Sequence, residues 1–189
     1  LQLDDGTTDG GVQGPNYLAA GFAYLTSNNT ASSLYSFGGM CPSETSADGD
    51  WVSAANYSQS MTVLDPSSSS SDASYALGDI TARGPPIPEA GFTITPLQAT
   101  YSTTSTGRVL PQEQSFVLIG GHTRQAFINM SRIAIFSLPE NSWNFVDIGQ
   151  QPDTEKTDLA VRDSAEVEPR SGHSAVLSPD GSKLIIFGG

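Results

Sequence analysis

The chain has 189 residues and a formal net charge of −12, although only 15% of its residues are charged. Residues 1–82 contain nine acidic residues and no lysine or arginine. Because such a surface repels phosphate backbones, the composition argues against nucleic acid as a partner. No apolar stretch approaches the roughly 18–20 residues of a membrane span, so membrane attachment would need an anchor outside this segment.

The dominant local pattern is a short apolar run bounded by Gly, Pro, Asn or Ser, and helical periodicity is scarce. Such runs are typical of β-strands, so the sequence predicts an all-β fold. In chain order, we expect nine strands near residues 17–25, 33–37, 61–64, 91–95, 115–119, 133–137, 143–147, 173–177 and 183–187.

Three of the apolar runs end directly on a pair of glycines. They read "SLYSFGGM" (33–40), "SFVLIGGH" (115–122) and "KLIIFGG" (183–189). The first, second and third glycine pairs end at Gly39, Gly121 and Gly189, which are 82 and 68 residues apart. A glycine pair permits close backbone approach and unusual dihedral angles. Its recurrence at the same place in three strand–turn–strand units predicts a structural repeat.

Two of these stretches resemble kelch repeats, the four-stranded blades of a β-propeller. "RSGHSAVLSPDGSKLIIFGG" (170–189) matches the family's Arg–x–x–His–Ser opening and its strand into Gly–Gly. "FVLIGGHTRQAFINMSRIAIFSLPENSWNFV" (116–146) matches Gly–Gly, a hydrophobic strand, a turn with proline and then a Trp. The resemblance implies structural repeat positions at Gly38, Gly39, Gly120, Gly121, Trp143, Arg170, His173, Gly188 and Gly189.

The resemblance implies a kelch-type β-propeller made of four-stranded antiparallel sheets. It divides the chain into a degenerate blade (about 12–80), a kelch blade (84–148) and the first half of a further blade (169–189). A typical propeller has four to eight blades, so we expect an incomplete propeller whose remaining blades come from the same or another chain. Because both spacings exceed the roughly 50-residue kelch period, we expect insertions at 41–60, 65–74, 98–114 and 149–168. Tyr75 lies near the place where the family has Trp, so a fourth strand in the first unit is left open.

Three Asn-x-Ser/Thr sequons begin at Asn28, Asn56 and Asn129, and none has proline in the middle. Each is an N-glycosylation acceptor in a protein that passes through the secretory pathway. Together with the acidic composition and the Ser/Thr-rich loops, they predict an extracellular or cell-surface glycoprotein, similar to fungal kelch proteins. Cys41 is the only cysteine, and it is either a buried free thiol or paired with a partner elsewhere.

The histidines and acidic tracts have a structural and a functional interpretation. A structural role is favoured for His173, at the repeat position, and for His122, which follows the second glycine pair and could face a ligand. The acidic, glycine-rich tracts at 4–11 and 46–51 could hold Ca²⁺, but neither fits the spacing of an EF-hand loop and turn chemistry is the favoured explanation. We therefore expect no catalytic residue, no cofactor and no metal site in this chain.

The function that this pattern favours is a non-catalytic binding or scaffold module. Its long Ser/Thr-rich loops would recognise a protein or a glycan, because loops vary freely on a rigid scaffold. One alternative is a fragment of a copper-radical oxidase similar to galactose oxidase, which is also a kelch-type propeller. Another alternative is an intracellular kelch adaptor.

Overall fold

A computed structural model describes residues 20–26, 32–41, 55–66, 75–148 and 167–189, to which every structural statement refers. In these ranges the regular structure is β-strand throughout, which confirms the all-β class. None of the described residues belongs to a helix suited to crossing a membrane. The strands are β1 (Gly21–Thr26), β2 (Ser32–Phe37), β3 (Met40–Cys41), β4 (Asn56–Tyr57), β5 (Met61–Pro66), β6 (Tyr75–Ile80), β7 (Thr93–Leu97), β8 (Thr100–Thr103), β9 (Val109–Gln112), β10 (Ser115–Ile119), β11 (Arg132–Ser137), β12 (Ser142–Asp147), β13 (Ser174–Leu177) and β14 (Leu184–Phe187).

The main strands form two four-stranded sheets and a two-stranded pair, all antiparallel. The first sheet has the order β1-β2-β5-β6 and the second has the order β7-β10-β11-β12. The third sheet is the pair β13-β14. Two small hairpins, β3-β4 and β8-β9, lie between main strands. Without these hairpins, each four-stranded sheet is an up-and-down meander whose strands follow one another in chain order.

The three sheets share one register around the glycine pairs. In each, the residue that precedes the pair faces the start of the first strand: Phe37 pairs with Gly21, Ile119 with Thr93, and Phe187 with Ser174. Because register fixes which side chains reach each face, the three sheets present equivalent positions in equivalent places. The repeat in the sequence is therefore also a repeat in backbone pairing.

The second sheet is covered on both faces. On the side of the first sheet, Phe116 and Phe136 are completely buried and form one cluster with Phe37. On the other side, Val117 and Ile119 pack in a cluster with Leu184 of the third sheet. Strand β10 is buried along its whole length because its alternating side chains enter both clusters. Each fully buried Phe contributes about 1.5–3 kcal/mol to folding.

Trp143 lies on β12, the last strand of the second sheet, and joins the two four-stranded sheets. Its ring is 5% exposed and lies 4.8 Å from the ring of Phe37 and 5.1 Å from that of Phe136. The segment that follows β6 bonds to the edge of β12, because the N–H of Trp143 donates to the carbonyl of Arg83 at 2.9 Å. The chain thus crosses from the first sheet to the second along this edge.

The structure differs from the sequence predictions in several places. The two predicted strands at 91–95 and 173–177 begin later, at Thr93 and Ser174, because Gly91 and Gly172 have positive φ angles of 67° and 71°. The first unit has a fourth strand, β6, whose existence was left open. In the second sheet Trp143 pairs with Phe136, and in the first sheet the equivalent residue, Leu64, pairs with Leu77. The position equivalent to Trp143 is therefore occupied by Leu77 and not by Tyr75.

Two predicted insertions contain strands of their own. At the start of the insertion predicted at 41–60, Cys41 belongs to β3 and pairs with Asn56 of β4. The insertion at 98–114 folds into the hairpin β8-β9, with Thr103 opposite Val109. The insertions at 65–74 and 149–168 and the possible calcium tracts lie largely or wholly outside the described residues.

Candidate functional site

The glycine pairs have nearly identical backbone conformations. The φ angles are 64° and 95° in the first pair, 64° and 100° in the second, and 76° and 100° in the third. A residue with a side chain rarely adopts such left-handed angles, so glycine is required at each position. Three separate strands therefore end in the same two-residue turn.

The second residue of a pair bonds to the chain that opens the next sheet. The N–H of Gly39 donates to the carbonyl of Glu89 at 2.9 Å, and that of Gly121 donates to the carbonyl of Arg170, also at 2.9 Å. A Cβ on Gly120 would lie 2.7 Å from Cε1 of His173 and 2.9 Å from the Arg170 carbonyl. Close packing between successive sheets thus depends on the absence of a side chain at glycine positions such as Gly120.

His173 connects the third sheet to the second. Its ring is 6% exposed, and Nε2 lies 2.9 Å from the hydroxyl of Thr93 on β7. Burial lowers the pKa of His173, the nearby Arg170 guanidinium lowers it further, and the backbone of Ile119 acts in the opposite direction. Arg170 itself donates from Nη1 to the carbonyl of Gly188 at 3.0 Å. These contacts are those of residues that hold sheets together.

His122 follows the second glycine pair and lies at the same end of the sheets. Its Nδ1 is 2.6 Å from the hydroxyl of Ser171, which also donates to the carbonyl of Gly91 at 3.2 Å. The rings of Tyr57 and Phe127 approach the imidazole edge-on, at 5.8 and 6.5 Å. We call His122, Ser171, Tyr57 and Phe127 the end cluster.

The end cluster brings a serine and a histidine together without the rest of a hydrolytic site. The hydroxyl of Ser171 lies within hydrogen-bond distance of both Nδ1 of His122 and the Gly91 carbonyl, and the tautomer of His122 decides which of the two side chains donates in the closer contact. Burial is the cause that lowers the pKa of His122, and no carboxylate among the described residues contributes to the shift. A catalytic triad needs an acid that orients the histidine, and the described residues place none beside His122.

Tyr57 carries an unusual polar atom at the same end. Its hydroxyl is buried, and the described residues offer it no hydrogen-bond partner. Burial raises the pKa of Tyr57, and the guanidinium of Arg124 lowers it in part. Arg124 is held in place because Nη2 donates to the carbonyl of Ala55 at 2.6 Å. Sequence reasoning missed Tyr57 and Arg124, since the bond from Arg124 to Ala55 joins positions 69 residues apart.

Two of the three predicted glycosylation acceptors lie in the described ranges. Asn56 is exposed on β4, and Asn129 is exposed with its Oδ1 accepting from the N–H of Ser131 at 2.8 Å. Asn28 lies outside the described residues. Cys41 is a half-buried free thiol. Both described acceptors are open to solvent, as attachment of a glycan requires.

The hairpin β8-β9 is a further exposed surface that sequence analysis assigned to an irregular loop. Tyr101 is 78% exposed and Val109 is 57% exposed. The alternation of Thr, Tyr and Ser around a turn with Gly107, whose φ is 79°, is the signal that would have predicted it. Tyr101 and Val109 therefore belong to the solvent-facing surface of this hairpin.

The described ranges contain no group of three or more His, Cys, Asp or Glu side chains that could hold a metal ion. In comparisons with known proteins, no family model and no curated protein matches this chain. The interpretation of function therefore depends on the geometry of the chain itself.

Proposed function

We propose that this chain is a segment of a kelch-type β-propeller in which each sheet is one blade. The observation that carries the proposal is the shared geometry of the glycine pairs, of which two bond to the start of the next sheet in the same way. The meander order of the two complete sheets is the order of a propeller blade. The burial of the second sheet between its two neighbours supports the proposal, because an inner blade of an array is covered on both faces.

The third sheet would continue the array. Its apolar side chains Val176, Ile185 and Phe187 are 58%, 53% and 81% exposed. Exposed apolar residues grouped on one element mark a surface that another element covers. In this proposal they pack against a further blade from the same or another chain, as the second sheet packs against the third.

The proposed activity is non-catalytic binding of a protein or a glycan in an extracellular or cell-surface setting. The hairpin β8-β9 is the described part of the recognition surface, because its side chains Tyr101 and Val109 are exposed. The exposed acceptors Asn56 and Asn129 support passage through the secretory pathway.

Two experiments test the two parts of this proposal. For recognition, the chain is screened on arrays of glycans and of extracellular proteins, as wild type, as Tyr101→Ala and as the control Ile148→Ala, which changes another exposed residue. We expect the wild type to bind one class of glycan or protein on the array, with a binding signal that falls at least tenfold in Tyr101→Ala and stays unchanged in Ile148→Ala. Equal binding by both variants would exclude the hairpin as the recognition surface.

For localisation, the chain is expressed in a eukaryotic secretory host and its intact mass is measured before and after enzymatic deglycosylation. We expect a mass shift that decreases in an Asn129→Gln variant. An intact mass that deglycosylation leaves unchanged would favour an intracellular protein.

A further inference from the structure

A cavity of about 300 Å³ lies where the linker between the two four-stranded sheets covers the second sheet. Its walls are largely apolar and come from the linker, from β10, β11 and β12 and from the loop after β10: Pro86, Ile87, Leu118, Ile128, Ala134 and Phe145. This volume is at the lower end of the range for sites that hold small organic molecules.

The exceptional residue of this cavity is Glu89. It lines the cavity and is 1% exposed, and neither a charge nor a hydrogen bond from a described residue offsets the effect of burial on its pKa. Burial alone raises the pKa of Glu89 to about 8. A buried carboxylate without a partner is costly, so such a group is either neutral or matched by a cation that the site binds.

No nearby side chain supplies that cation. Arg132 is the basic residue of the cavity lining, but its guanidinium carbon lies 4.9 Å from the centre of the Phe145 ring. Its Nε lies 3.8 Å from a carboxylate oxygen of Asp147, and its side chain is 63% exposed. His122, which is bridged through its backbone to Ala90, uses Nδ1 for Ser171 and has a lowered pKa.

The backbone role of this position does not require an acid. Glu89 and Arg170 are equivalent, since the carbonyl of each accepts a bond from the second glycine of a pair. Any residue provides that carbonyl. The side chain of Arg170 turns to the carbonyl of Gly188, whereas the side chain of Glu89 is buried at the cavity. The carboxyl group is therefore available for a ligand.

We propose that this cavity binds a small organic amine whose apolar body contacts Phe145 and the proline wall and whose ammonium group pairs with the carboxylate of Glu89. The acidic chain, with its net charge of −12, favours the approach of such a cation. The site lies between the linker and the second sheet, both of which are described, so it does not depend on the proposed propeller or on its recognition surface.

The test is an NMR titration of the whole chain with 2-phenylethylamine, and in parallel with its neutral analogue 2-phenylethanol. The variants are Glu89→Gln, which removes the charge and keeps the shape, and the control Glu113→Gln, which removes an exposed acid. We expect the amine to shift the resonances of Leu118, Ala134 and Phe145. We expect its affinity to fall at least tenfold in Glu89→Gln and to stay unchanged in Glu113→Gln.

The pH dependence of the wild type gives a second readout that needs no variant. Below pH 8 the amine must displace the proton of Glu89, so its affinity rises about tenfold per pH unit up to that point. Above about pH 10 the affinity falls again as the alkylammonium group loses its own proton. Each of three results would overturn the proposal: no shift at the cavity residues, equal affinity in Glu89→Gln, or equal affinity for the alcohol.

Discussion

The N–H of Gly121 donates a 2.9 Å hydrogen bond to the carbonyl of Arg170, which is 49 residues further along the chain. The same bond joins Gly39 to Glu89 at the same distance. Both glycines have φ angles near 100°. A bond of this kind fixes the end of one sheet to the beginning of the next, so the distance between sheets is set by backbone atoms. This explains why the turn needs glycine and why the residue that supplies the carbonyl is free to vary.

The second glycine pair provides a direct test of this packing. Replacing Gly120 by Ala adds the strain of a left-handed residue and places a methyl group 2.7 Å from the His173 ring. The matched control is Gly107→Ala, because Gly107 has a positive φ of 79° but nothing within 4 Å of its missing Cβ. We expect the control to reduce the free energy of unfolding by about 1 kcal/mol and Gly120→Ala to reduce it by about 3 kcal/mol or more. Urea denaturation measures both, and equal losses would show that sheet packing does not constrain Gly120.

The shared core of the first two sheets predicts a large effect at Phe37. The side chain is completely buried against Trp143, so Phe37→Ala should reduce the free energy of unfolding by about 3–5 kcal/mol. Phe187 is 81% exposed, and Phe187→Ala should change the stability of the isolated chain by less than about 0.5 kcal/mol. Chemical denaturation of both variants checks the difference, and a similar loss in the two variants would contradict the assigned core.

Glu89 predicts a decrease of stability as the pH rises. Burial raises its pKa from 4.5 to about 8, so between these values the unfolded chain has lost the proton while the folded chain keeps it. The free energy of unfolding should therefore fall by about 1.4 kcal/mol per pH unit over this window, with no penalty below it and the full penalty above it. Denaturation at pH 5, 6.5 and 8 measures the slope.

The control for this slope is again Glu89→Gln. The variant should lack the decrease and should become more stable than the wild type as the pH rises, while Glu113→Gln should follow the wild type. A parallel pH dependence of the wild type and Glu89→Gln would show that the carboxyl group of Glu89 is not buried in the folded chain.

The burial of the two histidines predicts that the free energy of unfolding decreases as the pH falls below 6.5. Burial lowers the pKa of both His122 and His173 below 6.5, so the unfolded chain takes up protons first as the pH falls. Their contribution to stability is complete above pH 6.5 and is lost as the pH decreases through their folded-state pKa values. An NMR titration of the two imidazole C–H signals should give midpoints below 6.5. A midpoint above 6.5 for either histidine would contradict its burial.

The main strands could be predicted from the sequence because local pattern determines them. Every predicted strand overlaps a strand of the structure, and the range of β10 is the one expected, since "SFVLI" is a continuous apolar run before two glycines. The sequence leaves strand β6 open because it contains Gly78 and Asp79, which are poor strand residues. It forms because β5 offers it a partner, and such pairing cannot be read from a local pattern.

The candidate sites were predicted less well, because they depend on contacts between distant parts of the chain. His122 was recognised from its place after a glycine pair, but its bond to Ser171 joins residues 49 positions apart. Glu89 was missed, since a single acid in a proline-rich linker is usually exposed. Its alignment with Arg170, in "PEAG" and "PRSG", was the available signal. Its burial follows from the path of the linker over the second sheet, which the sequence does not specify.

The most direct test of the account measures the contacts of two amide protons. In a ¹⁵N-edited NOESY spectrum, the amide proton of Gly39 should be close to protons of Glu89 and Ala90, and that of Gly121 should be close to protons of Arg170 and Ser171. Contacts of both amides across successive sheets would establish the repeated junction in solution. Contacts of either amide with its own sheet alone would contradict it.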